Sequence, residues 1–321
     1  MIVIVKKDGD FFANNVINWL LSYNVIDIVK IDKNDELFIE IINQEKIIIS
    51  INGQSIDFNN IKFFWYQGGV LPMPKQNWIG NNTEIDLQVR RFINYEWKVL
   101  QDFIFYKLQQ KHHIGNYFLA ETNKLRNLCM AKDCGLLIPD TYVAQNDFSM
   151  KIKSGYRYIV KPLGESIPFT IDEKIYRLYT QEIEACYLKN DHQKYFPSLL
   201  QNKIDIDFEI RVFTFYEYRE FYAMAIFNSQ LNEVCDYRNT AYTNRYAAYD
   251  LPKKIKDKLL LFMENMQLDT ASFDLIKTRN GEFVFLEVNP FGNIEMINET
   301  CGYGIDRRYA EIIYNKFCKV L

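Results

Sequence analysis

The chain has 321 residues, enough for two or three packed lobes rather than one small core. Apolar residues make up 48% and charged residues 25%, an ordinary globular composition that excludes wholesale disorder. Lys and Arg number 38 against 41 Asp and Glu, a net charge of −3 that argues against a nucleic-acid coat protein but not against a local basic groove. An uninterrupted apolar stretch of about 18 residues, as a spanning helix needs, is absent. The opening Met1–Lys7 runs straight into charge and lacks the order of a signal peptide, so it reads as a strand. Cys129, Cys134, Cys186, Cys235, Cys301 and Cys318 are scattered without a C-x-x-C pair, and there are 3 histidines; zinc is not expected, and free thiols in a reducing cytoplasm are.

In chain order, Ile2–Val5 predicts a strand, and Ala13, Val16, Ile17, Leu20 and Leu21 fall at helical spacing. Val25–Ile31 returns as a strand, giving a βαβ crossover. Leu37–Ile42 and Ile47–Ile51 suggest a hairpin, followed by a strand at Ile61–Tyr66. A long helix carries Ile85, Val89, Phe92, Ile93, Leu100, Phe103, Ile104 and Leu108 on one stripe. A boundary is placed at 115/116. The next helix is capped near Thr122 or Asn123 and closed by Gly135, with Pro139 beyond. A strand at Tyr156–Lys161 precedes a polar, aromatic stretch, Ile167–Pro197, expected to hold one or two helices. Strands follow at Leu199–Ile204, Phe208–Tyr216, Glu220–Phe227, Ser272–Thr278 and Glu282–Asn289, with helices at Lys254–Met266 and Asp306–Val320. The expected class is mixed α/β (α+β), divided as 1–115, 116–198 and 199–321.

The sharpest local signal is the run from Ser272 to Pro290. Asn280-Gly281 between two β-rich segments predicts a two-residue type I′ hairpin turn. That register sets Asp274 opposite Glu287, with Asn289 two residues further on the same face and Phe273, Leu275, Val284, Leu286 and Val288 on the other. Opposed carboxylates about 5 Å apart destabilise a bare sheet. A cation between them removes that cost, and two carboxylates plus an amide oxygen suit Mg²⁺. A solvent-facing acidic patch is the alternative that the pair alone leaves open.

A metal–nucleotide site also needs fixed positive charge. Lys161 ends an apolar strand and leads into a loop containing Gly164. Lys124 sits in the first turn of a helix, where a cation opposes the macrodipole unless an anion is near. Glu209 and Arg211 share one strand face, which is equally the pattern of a surface ion pair.

The pieces, in order, resemble the ATP-grasp ligases: Asn123-Lys124-Leu with Gly135 and Ile138-Pro139; Val160-Lys161-Pro162 with Gly164; Gln201-x-x-Ile204; Glu209-Ile-Arg211; Asp236-Tyr-Arg238-Asn239; and Asp274 with Glu287-Val-Asn289-Pro290. The resemblance spans about residues 116–321, and the first hundred residues look like the small α/β domain that precedes the grasp fold. Phe63-Phe-Trp-Tyr-Gln-Gly-Gly69 and the Asp236/Arg238 pair narrow it to the graspetide, or microviridin-type, synthetases, most similar to the grasp-with-spasm peptide maturases. The chain departs from many grasp enzymes in holding only Gly164 within 161–170.

The resemblance implies ATP and Mg²⁺ as cofactors and a ribosomally made precursor peptide as partner, in a cytoplasmic homodimer that binds neither nucleic acid nor membrane. It implies that Asp274, Glu287 and Asn289 hold the metal and that Lys124 and Lys161 contact phosphates. Gln201, Asn202, Lys203 and Ile204 would lie along the adenine, with Glu209 near the ribose. Arg211 and Arg238 would stabilise an acyl phosphate, and Asp236 would orient Arg238 or act as base. Ile167–Pro197, with Tyr176, Tyr179, Tyr187 and Tyr195, is expected to dock the leader part of the peptide. Two other readings stay open at this point: a ligase adding free amino acids to a peptide or small acid, and an ATP-sensing binding module.

Overall fold

The computed structural model describes residues 1–74, 84–120, 123–145, 157–164, 169–172, 174–176, 180–183, 196–228, 244–292 and 294–319. The chain forms two compact units, Met1–Ala120 with Gly304–Leu321, and Glu121–Tyr303.

The first unit holds β1 (Ile2–Lys6), α1 (Phe11–Ser22), β2 (Ile28–Ile31), β3 (Leu37–Ile42), β4 (Ile47–Ile51), β5 (Gln54–Asp57), β6 (Phe63–Gln67), α2 (Glu84–Gln109) and β7 (His112–Ile114). Its main sheet runs β2-β1-β6-β7, all parallel. Every residue of β1 and β6 is buried, as expected of parallel strands covered on both faces; this is why both read as continuous apolar runs rather than alternating ones. Antiparallel β3-β4-β5 form a separate sheet; its first two strands are those expected, and β5 is additional, its Gln-Ser-Ile-Asp having little strand propensity.

The second unit opens with α3 (Lys124–Asp133) and continues with β8 (Thr141–Ala144), β9 (Tyr158–Lys161), β10 (Phe169–Ile171), β11 (Lys174–Tyr176), β12 (Gln181–Ile183) and β13 (Ser198–Asn202). β14 (Ile206–Phe215), β15 (Glu220–Asn228), β16 (Asn244–Tyr249), α4 (Lys253–Met266), β17 (Thr270–Thr278), β18 (Phe283–Asn289) and α5 (Ile294–Cys301) follow. One sheet has the order β12-β9-β13-β8 and the other β16-β15-β14-β17-β18. Phe262 of α4 packs against Phe273 and Phe285, joining that helix to the apolar face of the larger sheet. The described parts of Ile167–Pro197 are the short strands β10, β11 and β12; the helices expected there fall on residues outside the described ones.

The chain closes with α6 (Ile305–Cys318). Expected within the C-terminal lobe, it belongs instead to the first unit, packing on α1. There Tyr309, 1% exposed, accepts a 3.0 Å hydrogen bond from Trp65 Nε1. Contacts across more than 240 positions of sequence leave no local signal. Among the described residues no helix is long and apolar enough to cross a membrane.

Candidate active site

The centre of the larger sheet positions the chemistry. Register along the ladders sets Arg211 of β14 opposite Asp274 of β17, and Asp274 opposite Glu287 of β18. Arg211 donates from Nε to Asp274 Oδ1 at 2.8 Å and from Nη2 to Oδ2 at 2.9 Å, the paired geometry that a planar guanidinium makes with a carboxylate. Their side chains are 14% and 24% exposed, so the pair is only partly screened by water. Glu287 is exposed, as is Asn289, which pairs with Ser272 one step along on the same face.

The route to this register differs from the expected one. Thr278 N donates to Glu282 O and Gly281 N to Thr278 O, so three residues, Arg279, Asn280 and Gly281, make the turn. Gly281 has φ +87° whereas Asn280 is not left-handed, which excludes type I′, since that turn needs positive φ at both central positions. Pairing near the turn is therefore offset by one residue, Leu275 facing Phe285. A bulge between there and Asp274 takes up Leu286 and restores the offset. The two departures cancel, and Asp274 meets Glu287. Between them the faces change: Phe285 is buried, and Leu286, expected in the apolar set, is half-buried.

Asn289 begins a tight turn in which Gly292 N donates to Asn289 O. A Cβ on Gly292 would lie 2.4 Å from that of Ser272, so only glycine lets the turn close against the strand. The Ser272 hydroxyl is buried and has no hydrogen-bond partner among the described residues. Register could have nominated it, as the partner of Asn289, but a serine in a strand carries no signal of its own.

The cationic side is built on α3. Asn123 caps that helix, its side chain accepting from Arg126 N at 3.1 Å. Lys124, the next residue, donates to the carbonyls of Pro162 (3.3 Å) and Gly164 (3.0 Å) in the loop after β9. Lys161, half-buried, ends β9 immediately before that loop. Beyond α3, Leu137 bridges Val284 in parallel, and Phe285 N donates to Leu137 O at 2.8 Å. The chain bearing Lys124 is thus tied at one end to the Lys161 loop and at the other to the strand bearing Glu287 and Asn289.

Gln201, Asn202, Lys203 and Ile204 occupy the end of β13 and its passage to β14, where one sheet hands over to the other. Gln201, 3% exposed, donates to Thr141 Oγ1 at 3.0 Å. Lys203 places its ammonium 2.6 Å from Glu182, and its amide donates to Arg157 O. Asn202 has a buried Oδ1 with no hydrogen-bond partner among the described residues. Glu209 is half-buried on β14, two positions before Arg211 on the same face. Asp236, Arg238, Tyr179, Tyr187 and Tyr195 lie outside the described residues.

The donors Asp274, Glu287 and Asn289 are all oxygen, two of them anionic, and share one sheet face; this chemistry fits a hard divalent cation such as Mg²⁺. Among the described residues no group of three or more His, Cys, Asp or Glu side chains is arranged for a metal.

No protein-family model matches the chain, and no curated protein does. Solved structures do. It is similar to the macrocyclase MdnC of Microcystis aeruginosa MRC, bound with its precursor peptide MdnA (TM-score 0.78, 20% identity, covering 98% of this chain and 99% of that one). It is similar to a RiPP-associated ATP-grasp ligase of Chryseobacterium gregarium in complex with ADP and a leader and core peptide (0.76, 18%, 98% and 96%). It is also similar to the ATP-grasp ligase PsnB complexed with a phosphomimetic variant of its minimal precursor, Mg and ADP (0.70, 16%, 98% and 98%). The chain shares the fold of these proteins over nearly its whole length.

Proposed function

We propose that this chain is an ATP-dependent peptide ligase of the graspetide type, which activates Asp or Glu side chains of a ribosomally made precursor peptide and closes macrocyclic ester or amide bonds. The observation that carries the reading is the cross-strand pair Asp274–Glu287, extended by Asn289 and backed by Arg211, in a fold whose solved neighbours hold ADP and precursor peptides.

A carboxylate is a poor electrophile. Its oxygen attacks the γ-phosphorus of ATP, ADP leaves, and the acyl phosphate so formed is attacked by a hydroxyl or amine with loss of phosphate. Catalysis of phosphoryl transfer is mainly positioning and charge neutralisation. Asp274, Glu287 and Asn289 would hold Mg²⁺, which when bound offsets negative charge on the β- and γ-phosphates. Lys161, immediately before the Pro162–Gly164 loop, and Lys124, which donates to that loop from α3, would supply fixed positive charge to the phosphates. The segment Gln201–Ile204 would line the adenine, with Glu209 toward the ribose. Arg211, anchored through Asp274, would face the acyl phosphate, and Arg238 and Asp236 complete the proposed set.

The leader would dock in Ile167–Pro197, where Ile171, Ile175 and Tyr176 of the two-stranded β10-β11 sheet are exposed apolar side chains. The proposed setting is the cytoplasm and the proposed assembly a homodimer. The organisation put forward is a pre-ATP-grasp domain over 1–115, a central lobe and a metal-bearing lobe, with α6 transferred to the first. Mass spectrometry of a candidate precursor incubated with Mg-ATP tests the function: loss of one water per bond is expected. Gain of whole residue masses would instead identify a ligase for free amino acids, and no ATP turnover with peptide would leave a binding module.

A further inference from the structure

Ser272 lies on the sheet face that carries Asp274, Glu287 and Asn289, two positions before Asp274 on β17. It is 4% exposed, and its hydroxyl has no hydrogen-bond partner among the described residues. A buried hydroxyl left in this way is destabilising, and most buried polar groups are paired. Ladder register sets the fully buried Phe213 on one side of Ser272 and Asn289 on the other. The backbone of Gly292 closes over both, since a Cβ there would meet Ser272 Oγ at 2.6 Å and Asn289 Cβ at 3.4 Å. Of the two cross-strand neighbours only Asn289 carries hydrogen-bonding atoms in its side chain. Side chains directly opposed on adjacent strands stand about 5 Å apart at Cβ, a span that one hydroxyl–amide hydrogen bond bridges.

Asn289 needs such a neighbour if it is to hold a cation. Its amide ends in an oxygen and a nitrogen of nearly the same shape, and only the oxygen ligates a hard metal ion. We propose that Ser272 is a positioning residue of the metal site: its Oγ accepts from Asn289 Nδ2 and so turns Oδ1 toward the cation held by Asp274 and Glu287. The inference rests on the metal reading given above and adds to it the residue that orients the third ligand. A serine kept for packing stabilises the metal-free chain; one kept for the metal does not, so the two roles predict opposite signs.

Calorimetric titration of Mg²⁺ into the full chain saturated with ADP tests it, for wild type and Ser272→Ala and for both again with Asn289→Asp. Ser272→Ala is expected to weaken Mg²⁺ binding about 10-fold, as when a group that orients a metal ligand is lost. Its metal-free thermal midpoint should equal or exceed that of wild type, because no unpaired hydroxyl remains buried. A carboxylate at position 289 has oxygen at both ends and needs no orienting. In the Asn289→Asp background Ser272→Ala should therefore change affinity by less than about twofold. Ser272→Cys, similar in size but a poor acceptor, should match Ser272→Ala, which separates hydrogen bonding from cavity formation. Undiminished Mg²⁺ affinity in folded Ser272→Ala would overturn the role of Ser272 and leave the metal reading standing. An equal loss in both backgrounds, with a lower metal-free midpoint, would also overturn it and make Ser272 a packing residue. No Mg²⁺ binding by ADP-saturated wild type would overturn the metal reading and this inference with it.

Discussion

Arg211 and Asp274 face each other across adjacent strands and share two hydrogen bonds, at 2.8 and 2.9 Å. The guanidinium thus balances one of two carboxylates that face each other on the adjoining ladder, because Asp274 also pairs with Glu287. Arg211→Ala should lower metal-free stability by on the order of 2 kcal/mol in denaturant unfolding. Added Mg²⁺ should restore part of that loss, read as a larger thermal shift than wild type gives. Equal shifts in both proteins would separate Arg211 from the metal site.

Asp274→Asn and Glu287→Gln keep size and shape but remove charge. Each should reduce precursor-dependent ATP turnover by about 10²–10³-fold, the usual cost of losing one preorganised electrostatic group. Circular dichroism should be unchanged. Turnover within a few fold of wild type in either variant would remove that carboxylate from the proposed site.

The turn offers a test of the hairpin geometry. Gly281 alone among its three residues has positive φ, so Gly281→Ala should cost about 1–2 kcal/mol. Asn280→Ala should cost little. A type I′ turn would make both positions sensitive, so equal losses in thermal unfolding would contradict the three-residue loop.

Asp10 caps α1, accepting from Ala13 N at 2.8 Å, and burial pushes its carboxyl above the ordinary range in spite of that bond and nearby Lys6. A raised folded-state value means that the folded protein holds the proton more tightly than the unfolded chain. Stability contributed by this group is present at acid pH and lost as pH rises through the folded value. Asp10→Asn keeps a capping oxygen and should gain on wild type as pH rises from 3 to 7, on the carboxylate scale. Asp10→Ala should lose about 1 kcal/mol at pH 3, a loss that shrinks towards pH 7 as wild type itself declines. A pH-independent difference between wild type and Asp10→Asn would show that burial is not what shifts the group.

Cys134 is buried, which pushes its thiol up, while Cys129 and Cys318 are exposed. A thiol reagent at mildly alkaline pH should label Cys129 and Cys318 in the native protein and reach Cys134 only after unfolding, as read by peptide mapping. Labelling of Cys134 at the rate of Cys129 would place it at the surface.

Much of the second unit was legible because its signals are local. Asn123 caps, Gly135 closes and the alternation in Ser272–Thr278 sets which side chains share a face, each through neighbours a few residues away. The pairing of Asp274 with Glu287 was also foreseen, yet from a turn of the wrong type: one extra residue in the loop and one in the bulge compensate, and neither can be read from a pattern of period two. Next to the bulge, Phe285 lies in the core with Phe262 and Phe273, contacts made across the sheet rather than along the chain.

By itself the sequence determined the alternation of strands and helices and that Asp274, Glu287 and Asn289 share one face, since these depend on periodicity and residue type. Only the tertiary structure decided that α6 returns to the first unit, that Arg211 grips Asp274, that Ser272 stands beside Asn289, and that Ile85, Phe92 and Phe103 of the expected α2 stripe are exposed while its Ile104 and Leu108 are buried. A helical period marks an apolar face but not what covers it. That depends on groups distant in the chain, brought near only when the whole is packed.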